Sequence, residues 1–232
     1  MSGNNRFKKV YMDGAATMPT DPEVIESMFA CLNDKELYAN PSSVHVSGRD
    51  AMQKIEKARD QISKLINANK EDLIFTSGAT ESNNLAIIGS AKFRSDHGKH
   101  LITMTTEHKA VSGPFDYLEK EGFDVTRLRP DSDGLLDIKQ LKKAIREDTQ
   151  LISIMHINNE IGTIQNIPEI ASICRNQDIL FHCDAAQSVG KISIDLKELP
   201  IDLLSISAHK LYGPQGIGVL FIREAHKVKL LP

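Results

Sequence analysis

Lys210 stands in the run Ser207-Ala208-His209-Lys210, directly after an apolar segment and before the turn residues Gly213 and Pro214. If that segment is a buried strand, desolvation at its end disfavours the ammonium form of the lysine and leaves a free amine. A free amine can form a Schiff base with an aldehyde. The alternative is a solvated loop lysine, the usual situation of this residue type.

A turn of small residues, Ser77-Gly78-Ala79-Thr80, follows a second apolar segment and precedes a helical pattern. Backbone N–H groups at the start of a helix, the Thr80 hydroxyl and the positive end of the helix dipole together form a cradle for phosphate. An ordinary helix cap at Ser77 or Thr80, with Glu81 in the first turn, is the alternative. The segment alone does not decide between them, since it lacks the Walker lysine and the dinucleotide glycine spacing.

A third apolar segment ends on Asp184, and Gln187 follows three residues later. A buried aspartate can keep a pyridinium nitrogen protonated, so that the ring becomes an electron sink, and the amide can bind the phenolic oxygen of such a ring. A simple cap of a following helix is equally compatible with Asp184. Zinc is disfavoured, because His182, Cys183 and Asp184 alternate between the faces of a strand and no second ligand cluster exists.

Two further polar groups follow apolar segments in the same manner. Asn159, in Asn158-Asn159-Glu160, could reach the phenolic edge of a cofactor or a substrate carboxylate, or it could form a turn. His108, in Thr106-Glu107-His108-Lys109, could stack on a planar ring or begin a helix. An anion cradle, an acid, amides, an imidazole and a lysine are thus predicted at one edge of a sheet, a set that suits a phosphorylated aldehyde cofactor.

The elements that would position these residues alternate between strand and helix patterns, which indicates an α/β fold. Strands are predicted at 72–76, 100–105, 124–128, 151–157, 179–183, 202–207 and 218–222. Helices are predicted at 22–32, 47–66, 81–93, 109–120, 138–145 and 168–175. Most connections fit parallel crossovers with helices on both faces of the sheet, but the loop before the last strand is too short for one, so that strand should be antiparallel.

The composition excludes several classes of protein. The 232 residues carry a formal charge of −3 without a basic block, so nucleic acid is not an expected partner. No stretch approaches the roughly 18 apolar residues that cross a bilayer, and no signal core is visible, so we expect a soluble intracellular protein, cytoplasmic or organellar. Three cysteines fit a reducing compartment, and Cys31 and Cys174 are interpreted as core residues.

With these residues in view, the chain resembles the class V aminotransferase group of pyridoxal-phosphate enzymes, and within it the cysteine desulfurases of the NifS/IscS type. The resemblance runs from Val10 to Arg223 and is most specific at 75–86, 106–111, 158–162, 184–194 and 209–218. It implies the large domain of fold type I, with a mainly parallel seven-stranded sheet. We expect an irregular N-terminal arm at 1–50 and a cofactor-binding domain at 51–232.

The resemblance also implies roles for single residues toward pyridoxal 5'-phosphate. Ala79, Thr80, Ser207 and His209 would contact the phosphate. His108 would stack on the ring and is a plausible proton donor or acceptor. Asp184 would pair with the ring nitrogen, Lys210 would hold the cofactor, and the two amides near its phenolic oxygen would be those of Asn159 and Gln187.

Members of this group convert L-cysteine to L-alanine and pass the sulfur through a mobile cysteine to an acceptor for iron–sulfur cluster assembly, usually as homodimers. The present chain stops at Leu231-Pro232, whereas the group continues into a C-terminal small domain that carries that cysteine. None of the three cysteines here lies in a matching motif. A cysteine desulfurase is therefore expected by resemblance. A selenocysteine lyase or another relative is one alternative, and an inactive cofactor-binding or partner-binding fragment is the other.

Overall fold

The computed structural model describes residues 10–35, 37–224 and 230. In this part of the chain seven strands form one sheet in the order β1-β7-β6-β5-β4-β2-β3. The strands are β1 (Leu73–Thr76), β2 (His100–Met104), β3 (Asp124–Leu128), β4 (Thr149–Met155), β5 (Leu180–Asp184), β6 (Leu203–Ser207) and β7 (Gly218–Ile222). The helices are α1 (Pro22–Asn33), α2 (Val46–Leu65), α3 (Ala79–Asn84), α4 (Ser90–Phe93), α5 (Lys109–Lys120), α6 (Ile138–Ala144) and α7 (Ile167–Asn176).

Parallel pairing joins β3, β2, β4, β5 and β6, so the carboxyl ends of these strands lie at one edge of the sheet. The last strand, β7, is antiparallel to both β6 and β1, which confirms the expectation drawn from its short connection. A Cβ atom on Gly218, the first residue of β7, would lie 2.6 Å from the Gly78 backbone. A glycine is therefore required where β7 passes the turn that follows β1.

Burial explains why the strands read as apolar segments. Every residue of β2, β4, β5, β6 and β7 is buried, whereas the edge strands β1 and β3 are partly exposed. Because side chains alternate along a strand, Ile102 packs into a core with α6 and α7, while its neighbour Leu101 packs into a second core with α5. Helices therefore cover both faces of the sheet, and the predicted α/β fold is confirmed.

The ends of the elements differ from the predictions by one or two residues. The strand predicted at 151–157 ends at Met155, because Ile157 leaves the sheet and forms an isolated antiparallel bridge with Ile164. The helix predicted at 81–93 begins at Ala79 and contains a π-helical turn at Leu85–Gly89 between α3 and α4. Among the described residues, no helix is both long and apolar enough to cross a bilayer.

The N-terminal segment runs across the carboxyl edge of the sheet. The backbone N–H groups of Met18 and Asp21 donate to the carbonyl groups of His209 and Tyr212, at 2.8 and 2.9 Å. No residue of α1 is buried, and the interpretation of Cys31 as a core residue is wrong, since it lies on the exposed surface of this helix. The division of the chain at residue 50 stays a prediction, and α2 runs across that position. Residues 1–9 of the predicted arm lie outside the described residues.

Candidate functional site

An open cleft of about 800 Å³ lies at the carboxyl edge of the parallel strands. Its walls come from the N-terminal segment and from the loops that follow β1, β2, β4, β5 and β6. The cleft brings together all nine side chains that the sequence singled out: Ala79, Thr80, His108, Asn159, Asp184, Gln187, Ser207, His209 and Lys210. Residues far apart in the chain meet here because parallel strands end at the same edge of the sheet.

Lys210 ends a single 3-10 turn, Ala208–Lys210, directly after β6. The turn is held tightly, since the N–H groups of Leu211 and Gly213 both donate to the Ala208 carbonyl at 2.9 Å. Burial lowers the pKa of the Lys210 amine, and the nearby Asp184 carboxylate partly opposes that effect. The side chain is therefore a half-buried amine facing a carboxylate, and it is not the solvated loop lysine of the alternative interpretation.

Asp184 is the last residue of β5 and only 5% of its surface is exposed. Its Oδ2 atom accepts a hydrogen bond from Asn83 Nδ2 at 2.8 Å, and its Oδ1 atom accepts from the Ala186 N–H at 3.0 Å. No helix begins directly after Asp184 in the described chain, so capping of a helix does not account for the carboxylate. Two donors hold Asp184 in a fixed orientation at the floor of the cleft.

The residues adjacent to Asp184 on β5 are occupied elsewhere. Both ring nitrogens of His182 have hydroxyl partners, Ser153 Oγ at 2.7 Å and Ser205 Oγ at 3.0 Å. Cys183 is buried in the core on the opposite face of the sheet, where desolvation raises the pKa of its thiol. Within the described residues, no group of three or more potential ligands could hold a metal ion.

The start of α3 forms one end of the cleft. Gly78 is the residue before the helix, and no described side chain caps it. Glu81 in the first turn accepts hydrogen bonds from the backbone N–H and the hydroxyl of Ser77, and these bonds lower the pKa of the Glu81 carboxyl. The N–H groups of the first helical turn, at Ala79 and Thr80, have no partner within the helix and stand at the edge of the cleft.

Two more polar residues complete this end of the cleft. Ser207 is the last residue of β6 and is buried, and His209 follows it in the tight turn. The Nδ1 atom of His209 shares a hydrogen bond of 3.0 Å with Thr17 Oγ1. Burial and the charge of Lys210 lower the pKa of the His209 imidazole. A hydroxyl, an imidazole and a helix start therefore converge, which is a donor set suited to a phosphate group.

His108 lines the cleft and also caps the start of α5, so its place at the beginning of a helix is confirmed and its stacking on a ring stays a prediction. Its Nδ1 atom accepts a hydrogen bond from the Ala110 N–H at 3.1 Å, which places the hydrogen of the neutral ring on Nε2. The two asparagines after β4 have different structural roles. Asn158 Oδ1 accepts from the N–H groups of Glu160 and Ile161 and forms the turn, whereas Asn159 lines the cleft.

Gln187 is held at both ends of its amide group. Its Nε2 atom donates to the Ala15 carbonyl at 2.7 Å, and its Oε1 atom accepts from Lys191 Nζ at 2.9 Å. Burial and the neighbouring charge of Lys210 lower the pKa of the Lys191 amine. One Nε2 hydrogen is used by Ala15, so the second is the donor with which Gln187 could contact a ligand.

Several residues that shape the site were missed from the sequence. Asn83 stands four residues after Ala79 within the segment already singled out, so helical spacing was an available signal for it. Lys191 follows Gln187 in a segment of turns, where no such spacing rule applies. No local pattern marks Ala15 or Thr17, because their partners lie far along the chain.

The geometry of an α/β sheet with a lysine, a buried aspartate and the start of a helix at its carboxyl edge agrees with the family comparison. The model of the family Aminotransferase class-V matches residues 10–232, and the chain belongs to this family.

Within the family, the chain is similar to bacterial proteins named cysteine desulfurase IscS. It is 51% identical over 222 residues to that of Photobacterium profundum and 52% identical to that of Vibrio campbellii. Each alignment covers 95% of this chain but 55% of the relative. The chain thus spans about half the length of the curated relatives it matches.

Solved structures agree with these sequence comparisons. The structure described as SspA in complex with cysteine has a TM-score of 0.91 and 45% identity, covering 96% of this chain and 63% of that one. A NifS-like protein has a TM-score of 0.93 and 38% identity, covering 97% and 61%. The fold and the family are therefore shown by two independent kinds of similarity.

Proposed function

We propose that this chain binds pyridoxal 5'-phosphate in the cleft and forms the cofactor-binding part of a cysteine desulfurase, which converts L-cysteine to L-alanine and passes the sulfur to a thiol. The observation that carries the proposal is the half-buried Lys210 amine facing the Asp184 carboxylate in a cleft that is also lined by Thr80 at the start of α3. Relatives named cysteine desulfurase, 51% identical over 95% of the chain, support the choice of reaction.

The cleft residues fit the charges and hydrogen-bonding groups of this cofactor. A carboxylate that is only 5% exposed and turned toward the cleft is stabilised by a cation, and a protonated pyridine nitrogen supplies one. At the other end, Thr80, Ser207 and His209 offer donors to a phosphate. His108 offers a flat imidazole whose Nε2 hydrogen is available, and we propose that it stacks on the ring. The amides of Asn159 and Gln187 are proposed to bind near the phenolic oxygen.

Each proposed step assigns one task to a residue of this chain. The Lys210 amine, whose pKa is lowered by burial, holds the cofactor aldehyde and, when released, accepts or donates a proton at Nζ. Asp184 orients the ring through its fixed hydrogen bonds. The bound cofactor supplies an electron sink for the bond broken in the substrate. His108 is a second proton carrier, at Nε2.

The sulfur acceptor is proposed to lie outside the cleft. No cysteine is among the residues that line the cleft in the described chain. Desolvation raises the thiol pKa of both Cys174 and Cys183, which keeps them protonated and unreactive at neutral pH. Cys31 is exposed on α1 but does not line the cleft. We therefore propose that the sulfur passes to a thiol other than these three, and from there to an iron–sulfur scaffold protein or other acceptor. The full-length family suggests a homodimer as the acting form.

Cofactor attachment is tested by incubating the purified chain with pyridoxal phosphate. We expect a yellow protein, and reduction with borohydride followed by peptide mass spectrometry should place the cofactor on Lys210. The Lys210→Ala variant should stay colourless and unlabelled. Lys139→Ala is the matched control, because Lys139 is an exposed lysine on α6, and it should be labelled like the wild type. A wild-type chain that remains colourless would contradict the cofactor proposal.

The reaction is tested separately by measuring L-alanine released from L-cysteine in the presence of excess dithiothreitol, which serves as the thiol acceptor. Release that depends on the cofactor and on Lys210 supports a desulfurase. A yellow protein that releases no alanine, alone or with a thiol, would limit this chain to cofactor binding.

A further inference from the structure

Glu107 precedes His108, but its carboxyl group is buried behind the wall of the cleft. It has no part in the cofactor binding or proton transfer proposed for the other residues. Its Oε1 atom accepts a hydrogen bond from the Met155 backbone N–H at 2.9 Å. Its Oε2 atom is buried and has no hydrogen-bond partner in the described part of the chain. A buried acid with one donor and one bare oxygen is unusual and calls for an explanation.

The hydrogen bond from Met155 ties the loop that carries His108 to the sheet. Met155 is the last residue of β4, lines the cleft and pairs with Asp184 in the register of β4 and β5. A second bond supports the same loop, since Asn158 Nδ2 donates to the Thr106 carbonyl at 3.0 Å. Two hydrogen bonds therefore hold the loop that carries His108 to the end of β4, and one of them is accepted by the Glu107 side chain.

The carboxyl groups of Asp184 and Glu107 lie near each other but accept different numbers of hydrogen bonds. Asp184 has two donors, whereas Glu107 has one, and burial together with the Asp184 charge raises the pKa of the Glu107 carboxyl well above its ordinary value. Two nearby carboxyl groups in a desolvated site do not both ionise, and the proton stays on the one with fewer donors. Two other titratable groups interact electrostatically with these carboxyl groups. The pKa of the buried Cys183 thiol is also raised, chiefly by desolvation, and the Lys210 amine lies opposite Asp184.

We propose that Glu107 is a positioning residue of this site: a neutral carboxylic acid that anchors the loop bearing His108 to the end of β4 and leaves the negative charge of the two strand ends on Asp184. The inference deepens the proposed function and rests on it for the identity of the ligand. A glutamine has the same shape without a charge, so it should replace Glu107 in both tasks.

Cofactor affinity tests the anchoring. Titration with pyridoxal phosphate, followed by visible absorbance, should give Glu107→Gln an affinity within about twofold of the wild type. Glu107→Ala leaves a buried donor without its acceptor and should weaken binding roughly tenfold or more. Glu147→Gln makes the same chemical change at an exposed carboxyl and should have no effect. An alanine variant that folds and binds like the wild type would overturn the anchoring role while the proposed function stands.

Thermal unfolding without cofactor tests the neutral acid independently. An acid whose pKa is raised by folding stabilises the protein below its ordinary pKa of 4.5, and that contribution is lost as the pH rises toward the raised value. The wild-type melting temperature should therefore fall relative to that of Glu107→Gln as the pH rises from about 5 to about 8, whereas Glu147→Gln should run parallel to the wild type.

The outcomes of the two measurements are separable. Parallel curves for the wild type and Glu107→Gln would mean that Glu107 carries no raised pKa, and the inference would be wrong even if the cofactor binds. Should Glu107→Ala fail to fold, the glutamine variant still decides through both measurements. A wild-type chain that does not bind the cofactor would overturn the proposed function, and with it the idea that Glu107 positions a cofactor contact. The melting curves would then test only whether Glu107 is neutral.

Discussion

Asn83 determines how the Asp184 carboxylate is presented to Lys210. Its Nδ2 atom donates to Asp184 Oδ2, and the residue is completely buried, so no solvent replaces the bond if it is lost. A hydrogen bond to a charged group commonly contributes about 1.5–3 kcal/mol. The orientation of the central acid therefore depends on a neutral side chain on the neighbouring helix α3.

The Asn83→Ala variant is expected to lose about 1–3 kcal/mol of unfolding free energy and to bind pyridoxal phosphate more weakly, because Asp184 Oδ2 is left buried without its donor. Asn84→Ala is the matched control, since Asn84 Nδ2 donates to the Thr80 carbonyl at the helix surface. Denaturant unfolding and absorbance titration would measure both effects. Equal losses in the two variants would argue against a special role for Asn83.

At the scale of elements, β7 determines the shape of the end of the cleft where the cofactor phosphate is proposed to bind. It lies between β6 and β1, and its first residue, Gly218, packs against the turn at Gly78. An added Cβ on Gly218 would also lie 2.6 Å from the Ile206 carbonyl oxygen. Both neighbours are backbone atoms, which cannot move without shifting the strands themselves.

The Gly218→Ala variant should therefore be destabilised by more than about 1 kcal/mol, and its phosphate cradle should bind less tightly. Lys139→Ala, on the exposed surface of α6, provides the control and should leave the unfolding free energy within about 0.5 kcal/mol of the wild type. The melting curve of Gly218→Ala should shift to lower temperature while that of Lys139→Ala stays with the wild type, and a neutral Gly218→Ala would contradict the close-approach argument.

Part of the arrangement of strands and helices could be predicted from the sequence, and part could not. Strands and helices were predictable because the central strands are buried on both faces and read as apolar runs, and the cleft was predictable because parallel strands end at one edge. The π-helical turn at Leu85–Gly89 and the contact between Ala15 and Gln187 were not predictable, because neither has a local signature. The exposed Cys31 illustrates another limit of sequence patterns. An apolar helical pattern predicts that one face of a helix packs against something, but it does not identify the partner.

For the whole molecule, stability should depend on pH through buried groups that are neutral when folded. His182 is completely buried between two serines, and desolvation lowers its pKa from 6.5 to about 3. As the pH falls, His182 takes up a proton in the unfolded chain before it does so in the folded chain, so acid favours unfolding. Burial also lowers the pKa of His156.

We expect the unfolding free energy to fall by up to roughly 1.4 kcal/mol per pH unit for His182 as the pH drops below 6.5 toward 3, and to show no such loss above pH 6.5. Denaturant unfolding at about pH 7 and at about pH 5 would measure it. In His182→Asn, which keeps polar groups but does not titrate, the difference between the two pH values should shrink. An unchanged difference would assign the acid sensitivity to other residues.

The placement of β7 has a consequence for the order in which the molecule assembles. Leu73 of β1 pairs with Phe221 of β7, and β1 pairs with no other strand of the described sheet. During synthesis, β1 and the turn after it must wait for nearly all of the described chain before they join the sheet. Contacts so distant in sequence form late and slowly. The parallel strands that carry Asp184 and Asn159 can therefore assemble before the start of α3 is in place, and in a nascent chain this end of the cleft would form last.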